Sequence, residues 1–168
     1  MPPRLRRILC LDDFEEAARR HLPAPVFAYV SGGVERNQTL RANAQAFERL
    51  EFVTRVLVDT SKRSTQTQLL GRDWSAPFGI APMGISALSA YRGDLVLAQA
   101  AAQENVPMIM SGSSLIRLEE IVQANPQAWF QAYLPGAEDE IVALIERVNA
   151  AGYGTLVLTL DASIASNR

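Results

Sequence analysis

Four apolar runs in this chain end on small or polar residues, and those ends are where its chemistry would sit. They read Ala81-Pro82-Met83-Gly84, Ser111-Gly112-Ser113-Ser114, Gln131 with Tyr133, and Thr159 with Asp161. The groups on offer are hydroxyls, an amide, a phenol and open backbone. Such a set forms hydrogen bonds. No cluster has metal-ligand spacing, so no metal site is expected. The one histidine, His21, follows Arg19 and Arg20 near an expected helix end, where a cation is favoured, and reads as non-catalytic. No Gly-x-Gly-x-x-Gly follows a run, which argues against a Rossmann dinucleotide site.

The elements that must position these groups follow from the pattern. The runs are "PFGIAP" (77–82), "VPMIMS" (106–111), "AWFQAY" (128–133) and "TLVLTLD" (155–161). Helices are predicted between them at 93–105, 114–124 and 138–152. In the last, Ile141, Leu144, Ile145 and Val148 fall at helical spacing, acids crowd the first turn and Gly152 stands at the stop. The runs are continuous rather than alternating, which predicts strands buried on both faces. Strands separated by helices imply right-handed βαβ units, a parallel sheet and an α/β fold. In that class the ligand site lies at the C-terminal strand ends. Backbone around Gly84, with Ser111, Gln131 and Thr159, could bond the edge of a polar heterocycle. A flavin, whose ring edge alternates donors and acceptors, suits it.

Residues 1 to about 75 differ in style and read as a helical prelude. Asp12 and Glu15 have the spacing of a capping box, with Phe14, Ala17 and Ala18 as an apolar face. Pro23 and Pro25 separate this helix from the next, Pro25 suits a first turn, and Gly32 and Gly33 end it. A third helix is predicted over 37–49. "TQTQLLGRDWSAP" reads as a small hairpin around Gly71-Arg72-Asp73. The domain reading is a helical segment with a hairpin over 1–75 and a β/α region over 76–168.

Composition is that of an ordinary globular protein, with 48% hydrophobic and 20% charged residues. A net charge of −2 gives no reason to expect nucleic acid as partner. No apolar run approaches the roughly 20 residues of a membrane span. The single cysteine, Cys10, rules out an internal disulfide and fits a reducing compartment such as the cytoplasm. The basic start "MPPRLRRIL" lacks the features of a secretory signal and reads as a solvated lead-in, with a transit peptide or a membrane-surface contact as the alternatives. Each candidate also has a plain reading. Gln131 inside an apolar strand must find a partner anyway, at a cost of about 1–3 kcal/mol if it does not. Thr159 suits a strand, Tyr133 suits a half-buried position, Tyr29 packs beside Phe27, and Arg168 is a solvated terminal cation.

Five motifs stand in a particular order: "LPAPVFAYVSGG", "APMGISALSAYRGD", "PMIMSGSS", "WFQAYL" and "LTLDASIASNR". In order and spacing the chain resembles the FMN-dependent 2-hydroxy acid dehydrogenases and oxidases, the family of glycolate oxidase, L-lactate dehydrogenase and mandelate dehydrogenase. The resemblance runs from about residue 11 to 168. It implies an eight-stranded TIM (β/α)8 barrel with FMN at its C-terminal face, of which this chain carries the first four strands behind a helical prelude. It implies oxidation of a small L-2-hydroxy acid to the 2-oxo acid, in a homo-oligomer when complete. It also implies roles. Pro82, Met83 and Gly84 lie against the flavin, and Ser111, Gln131 and Thr159 bond it. Tyr29 and Arg168 hold the substrate carboxylate. Tyr133 stands near the substrate hydroxyl or carbonyl, and Asp161 orients a catalytic histidine.

Three departures matter. Gly84 stands where oxidase-type members often have alanine, while some dehydrogenase and monooxygenase members have glycine, which leans away from a plain oxidase. Ser113 stands where glycolate oxidase has a tryptophan. "ASIASNR" lacks the proline and the glycine usual before the arginine matched by Arg168. The family's lysine for the flavin, histidine base, second arginine and main phosphate loops have no counterpart here. The expectation is therefore a half-barrel, inactive alone, that belongs to a longer enzyme or pairs with a complementary half. The alternative is a non-catalytic assembly module that pairs with another copy.

Overall fold

A computed structural model describes residues 5–134 and 136–160. Its contacts separate a first unit, up to Leu57, from a second that starts at Val58.

The first unit contains α1 (Asp13–His21), α2 (Ala24–Ser31) and α3 (Gln38–Phe47). Proline at the start of α2 costs no hydrogen bond there, and the chain leaves the helix at Gly32. The expected capping box at Asp12 does not form. Asp12 has helical backbone and makes no side-chain cap. Its neighbour Asp13 instead accepts the backbone N–H groups of Leu9 at 2.7 Å and Cys10 at 3.1 Å. Those bonds hold the Asp13 carboxyl below its ordinary range. The local turn thus took the acid one residue later than the spacing suggested. None of the three helices buries a residue, so the predicted apolar face is half open, with Phe14 48% exposed.

The second unit opens with a hairpin, β1 (Thr67–Leu69) and β2 (Arg72–Trp74). Its two-residue turn is Leu70-Gly71, both at positive φ, which places Arg72 and Asp73 in the second strand rather than the turn. After a 3-10 turn (Ser86–Leu88) come α4 (Gly93–Glu104), β3 (Ile109–Ser111), α5 (Leu118–Ala124), β4 (Trp129–Ala132), α6 (Glu138–Ala151) and β5 (Leu156–Leu158). β3, β4 and β5 pair in parallel, in chain order. This is the expected α/β arrangement.

The run at 77–82 forms only a single parallel bridge, Ile80 with Met108, rather than a strand. Ile80 N–H donates to Pro107 O at 2.8 Å and Ile109 N–H donates to Ile80 O at 3.0 Å. Gly79 allows the approach, since a Cβ there would lie 2.4 Å from Pro107 O. The predicted helix at 114–124 starts four residues late, at Leu118. Ser114 explains the delay, because its hydroxyl accepts Ile116 N–H at 3.0 Å and holds an open turn.

One face of the sheet packs on the helices. Ala98 and Ala101 of α4, Leu118 and Ile121 of α5 and Val148 of α6 close over Met108, Met110 and Phe130. The two alanines let α4 approach the strands closely. Tyr153, just past the left-handed stop at Gly152, stacks edge-on against Phe130 at 5.6 Å and donates its hydroxyl to Leu118 O at 2.9 Å. Burial, with a smaller contribution from Glu119, raises its phenol pKa well above the ordinary range. Burial on both faces holds for most of β3 and β4 but not for β5, where Leu158 is 45% exposed. β5 has a neighbour on one side only among the described residues.

Candidate functional site

Strand geometry decides which side chains meet. Ser111 pairs with Gln131, and Gln131 with Val157. Side chains alternate along a strand, so Ser111, Gln131 and Thr159 share the face opposite Met110 and Phe130. They stand at the C-terminal ends of three neighbouring strands.

There they form one hydrogen-bonded group. Gln131 Oε1 accepts Gly112 N–H at 3.1 Å and the Ser111 hydroxyl at 3.4 Å, and Gln131 Nε2 donates to Thr159 Oγ1 at 2.8 Å. Gly112 N–H can only donate, which fixes the amide oxygen toward β3 and the NH2 toward β5. Gln131 is 1% exposed and Ser111 3%. The amide carries a second N–H that the Thr159 bond does not use. Thr159, having accepted, keeps its own O–H to donate. Gly112 must be small here: a Cβ would lie 2.8 Å from Gln131 O.

The segment Pro82-Met83-Gly84 runs beside this group. Ile85 N–H donates to Ser113 O at 3.2 Å, and a Cβ on Gly84 would meet Ser113 Cβ at 3.4 Å. Met83 is 46% exposed. Tyr133 follows β4 directly and is half exposed. Among the expected site residues, the structure therefore brings Ser111, Gln131 and Thr159 into contact and sets Gly84 next to the Ser113 turn. Tyr29 lies on α2 in the first unit, half exposed. Asp161 and Arg168 lie outside the described residues.

Sequence reasoning missed what stands behind this group. Asp94, in the first turn of α4, is 2% exposed and accepts the Ser114 hydroxyl at 2.6 Å. An acid in a first helical turn ordinarily answers the helix dipole in solvent, and nothing in the sequence signalled its burial. A separate cleft of about 370 Å³ lies at the opposite strand ends, lined by Trp74, Phe78, Ile109 and Trp129 among others. Among the described residues that line it none is ionisable, and it is not the candidate site.

The sequence model of the FMN-dependent dehydrogenases matches residues 18–168. The chain belongs to that family. Among curated members it is 36% identical over 155 residues to an L-lactate oxidase of Lysinibacillus sphaericus, covering 91% of this chain and 40% of that protein. To an L-lactate dehydrogenase of Xanthobacter autotrophicus it is 37% identical, with 93% and 40% covered. Among solved structures, a soluble mutant of the membrane-associated (S)-mandelate dehydrogenase from Pseudomonas putida superposes with a TM-score of 0.90 at 31% identity, over 96% of this chain and 46% of that one. The chain thus spans about two fifths of these curated relatives and just under half of the solved one. None of its described helices is long and apolar enough to cross a membrane.

The residues present fit a flavin. The ring edge needs fixed donors and acceptors, and the Gln131 amide with Thr159 offers donors whose orientation Gly112 sets. The ring face needs backbone free of crowding side chains, and among the described residues, chain neighbours aside, an added Cβ on Gly84 would meet only Ser113 Cβ within 4 Å.

Proposed function

We propose that this chain is the N-terminal half of an FMN-binding β/α barrel that oxidises a small L-2-hydroxy acid to its 2-oxo acid. On this reading residues 76–168 form the first four of eight barrel strands, behind the helical segment and hairpin of 1–75. The observation that carries it is the hydrogen-bonded group Ser111–Gln131–Thr159 across three parallel strand ends, beside the open backbone at Gly84.

FMN, when bound, takes up the reducing equivalents of the hydroxy acid. The chain's own residues do the rest. Ser111, Gln131 and Thr159 hold the ring edge, and Pro82, Met83 and Gly84 offer it backbone. Tyr29 and Arg168 bind the substrate carboxylate, which wants a phenol and a guanidinium donor. Tyr133 hydrogen-bonds the substrate hydroxyl. Asp161 orients an imidazole and stabilises the imidazolium formed as that base takes a proton. The chain's one histidine, His21, is on α1, so the base comes from the complementary half-barrel. The enzyme works in the cytoplasm, with a peripheral place at the inner membrane as the alternative, and as a homo-oligomer.

A second reading has its own support. β5 is paired on one side only among the described residues, and Leu156, Leu158 and Leu160, on one face of it and just past its end, are 37%, 45% and 86% exposed, an apolar edge strand suited to pairing with a complementary half or another copy. A purely structural half-barrel would use the same edge.

The test is to purify the chain with and without a polypeptide that supplies the remaining strands. Flavin absorbance and dye reduction with L-lactate, glycolate and mandelate are then measured. The expected result is flavin and turnover in the pair only. Absence of both from the pair overturns the enzyme reading, and turnover by the chain alone overturns the placement of the base.

A further inference from the structure

We propose that Asp94 is a positioning residue for the Gln131 amide, acting through Ser114 and the tight turn that follows β3. The proposal rests on the flavin reading above only for the consequence of that positioning, not for the positioning itself.

The connection is continuous. Asp94 accepts the Ser114 hydroxyl at 2.6 Å. Ser114 N–H donates to Ser111 O at 3.0 Å and closes the turn. Inside the turn, Ser113 N–H donates to Ser111 Oγ at 3.1 Å, which orients that hydroxyl toward Gln131. The same turn presents Gly112 N–H, the donor that fixes which end of the amide faces β3. Moving Ser114 therefore moves both groups that hold Gln131 Oε1.

The far end of the connection is firm. α4 sits directly on the 3-10 turn: a Cβ on Gly93 would lie 2.8 Å from Ser86 Oγ and 3.0 Å from Ser86 O. Asp94 thus projects from a helix end that cannot shift without displacing the segment after Gly84. A carboxylate is the strongest acceptor available to a hydroxyl, and bonds of this kind run at about 2.5–2.7 Å. Burying an acid is costly unless it is well partnered, and the helix N-terminus lowers that cost. A neutral side chain would be the cheaper choice at a site that only needed filling.

The experiment uses the 168-residue chain, isotope-labelled and paired with the polypeptide that supplies the remaining strands, and two readouts. One is the pair of side-chain amide 15N–1H signals of Gln131; the other is FMN titration by fluorescence quenching. Asp94→Ala and Ser114→Ala are each expected to shift the Gln131 signals and to weaken FMN binding roughly threefold to tenfold, the loss of one hydrogen bond. Asp94→Asn, which keeps an acceptor oxygen, is expected to restore most of both. Tyr153→Phe, a buried change on the opposite sheet face, is expected to leave the Gln131 signals in place. Ser114→Ala removes a single hydroxyl from a turn and serves if Asp94→Ala does not fold. Unmoved Gln131 signals in a folded Asp94→Ala or Ser114→Ala chain overturn the proposal, including when stability falls, since Asp94 would then serve only the first turn of α4. Shifted signals in a pair that binds no FMN in any form support the positioning and overturn the flavin reading instead.

Discussion

Replacing Gln131 by leucine tests whether its amide ties the three strands. The side chains are close in volume, so steric change is small. The substitution removes two well-formed hydrogen bonds, at 2.8 and 3.1 Å, and one long one at 3.4 Å. At about 1 kcal/mol each the two good bonds account for about 2 kcal/mol. Gly112 N–H then loses its acceptor in a partly buried place, at a further cost of about 1 kcal/mol, the low end of the usual range. Leucine returns about 1 kcal/mol through apolar burial. The net expectation is a loss of about 2 kcal/mol, a large share of the roughly 5–15 kcal/mol that holds a domain together. Urea unfolding followed by circular dichroism reads this directly. With an m-value of about 2 kcal/mol/M, the midpoint falls by about 1 M with unchanged slope. Gln131→Glu separates polarity from packing. It keeps an acceptor for Gly112 but buries a carboxyl, so it destabilises more at pH 7 than at pH 4. A Gln131→Leu chain with the midpoint of the parent would refute the claim that this amide joins the strands.

Two further predictions concern the frame around the site. Tyr153 ionises near pH 10 in the unfolded chain and only at higher pH when folded, so the unfolded chain binds fewer protons above about pH 10 and stability falls there. Tyr153→Phe is expected to flatten that alkaline limb in pH-dependent urea melts, and an unchanged limb contradicts the assignment. Gly79→Ala puts a Cβ 2.4 Å from a backbone oxygen and is expected to cost about 2 kcal/mol or more, with faster hydrogen exchange at the Ile80 and Ile109 amides. Protected amides in that variant contradict the tight approach of this segment to β3.

What the sequence reveals and what it hides have physical reasons. Ser111, Gln131 and Thr159 are legible because each ends a long apolar run, and a polar residue inside such a run must find a partner. Parallel pairing was legible because helices of the right length separate the runs. The late start of α5 was not, since the Ser114 hydroxyl competes locally with helix formation and also reaches Asp94, twenty residues away. The single bridge at Ile80 was not legible either, because apolar composition says nothing of how many ladder bonds a run completes. Asp12 and Asp13 are adjacent acids, and which one takes backbone donors depends on the fold of the preceding turn. For Tyr29, Tyr133, Asp161 and Arg168 the proposed chemistry follows from the family resemblance, since a phenol, a carboxylate or a guanidinium near a strand or helix end carries no role by spacing alone.

The buried Gln131 amide also bears on how the sheet finds its alignment while folding. A hairpin inherits its alignment from its turn, but parallel strands joined through helices have no such gauge. Slipping β4 by one position would turn Gln131 toward the helices, into the place of Phe130 or Ala132, and strand an amide in an apolar layer. Slipping it by two would keep the face but pull the amide away from Gly112 and Thr159. Either error forfeits the bonds counted above. A single polar side chain thus acts as the key that admits one alignment of β3, β4 and β5 and rejects the near misses.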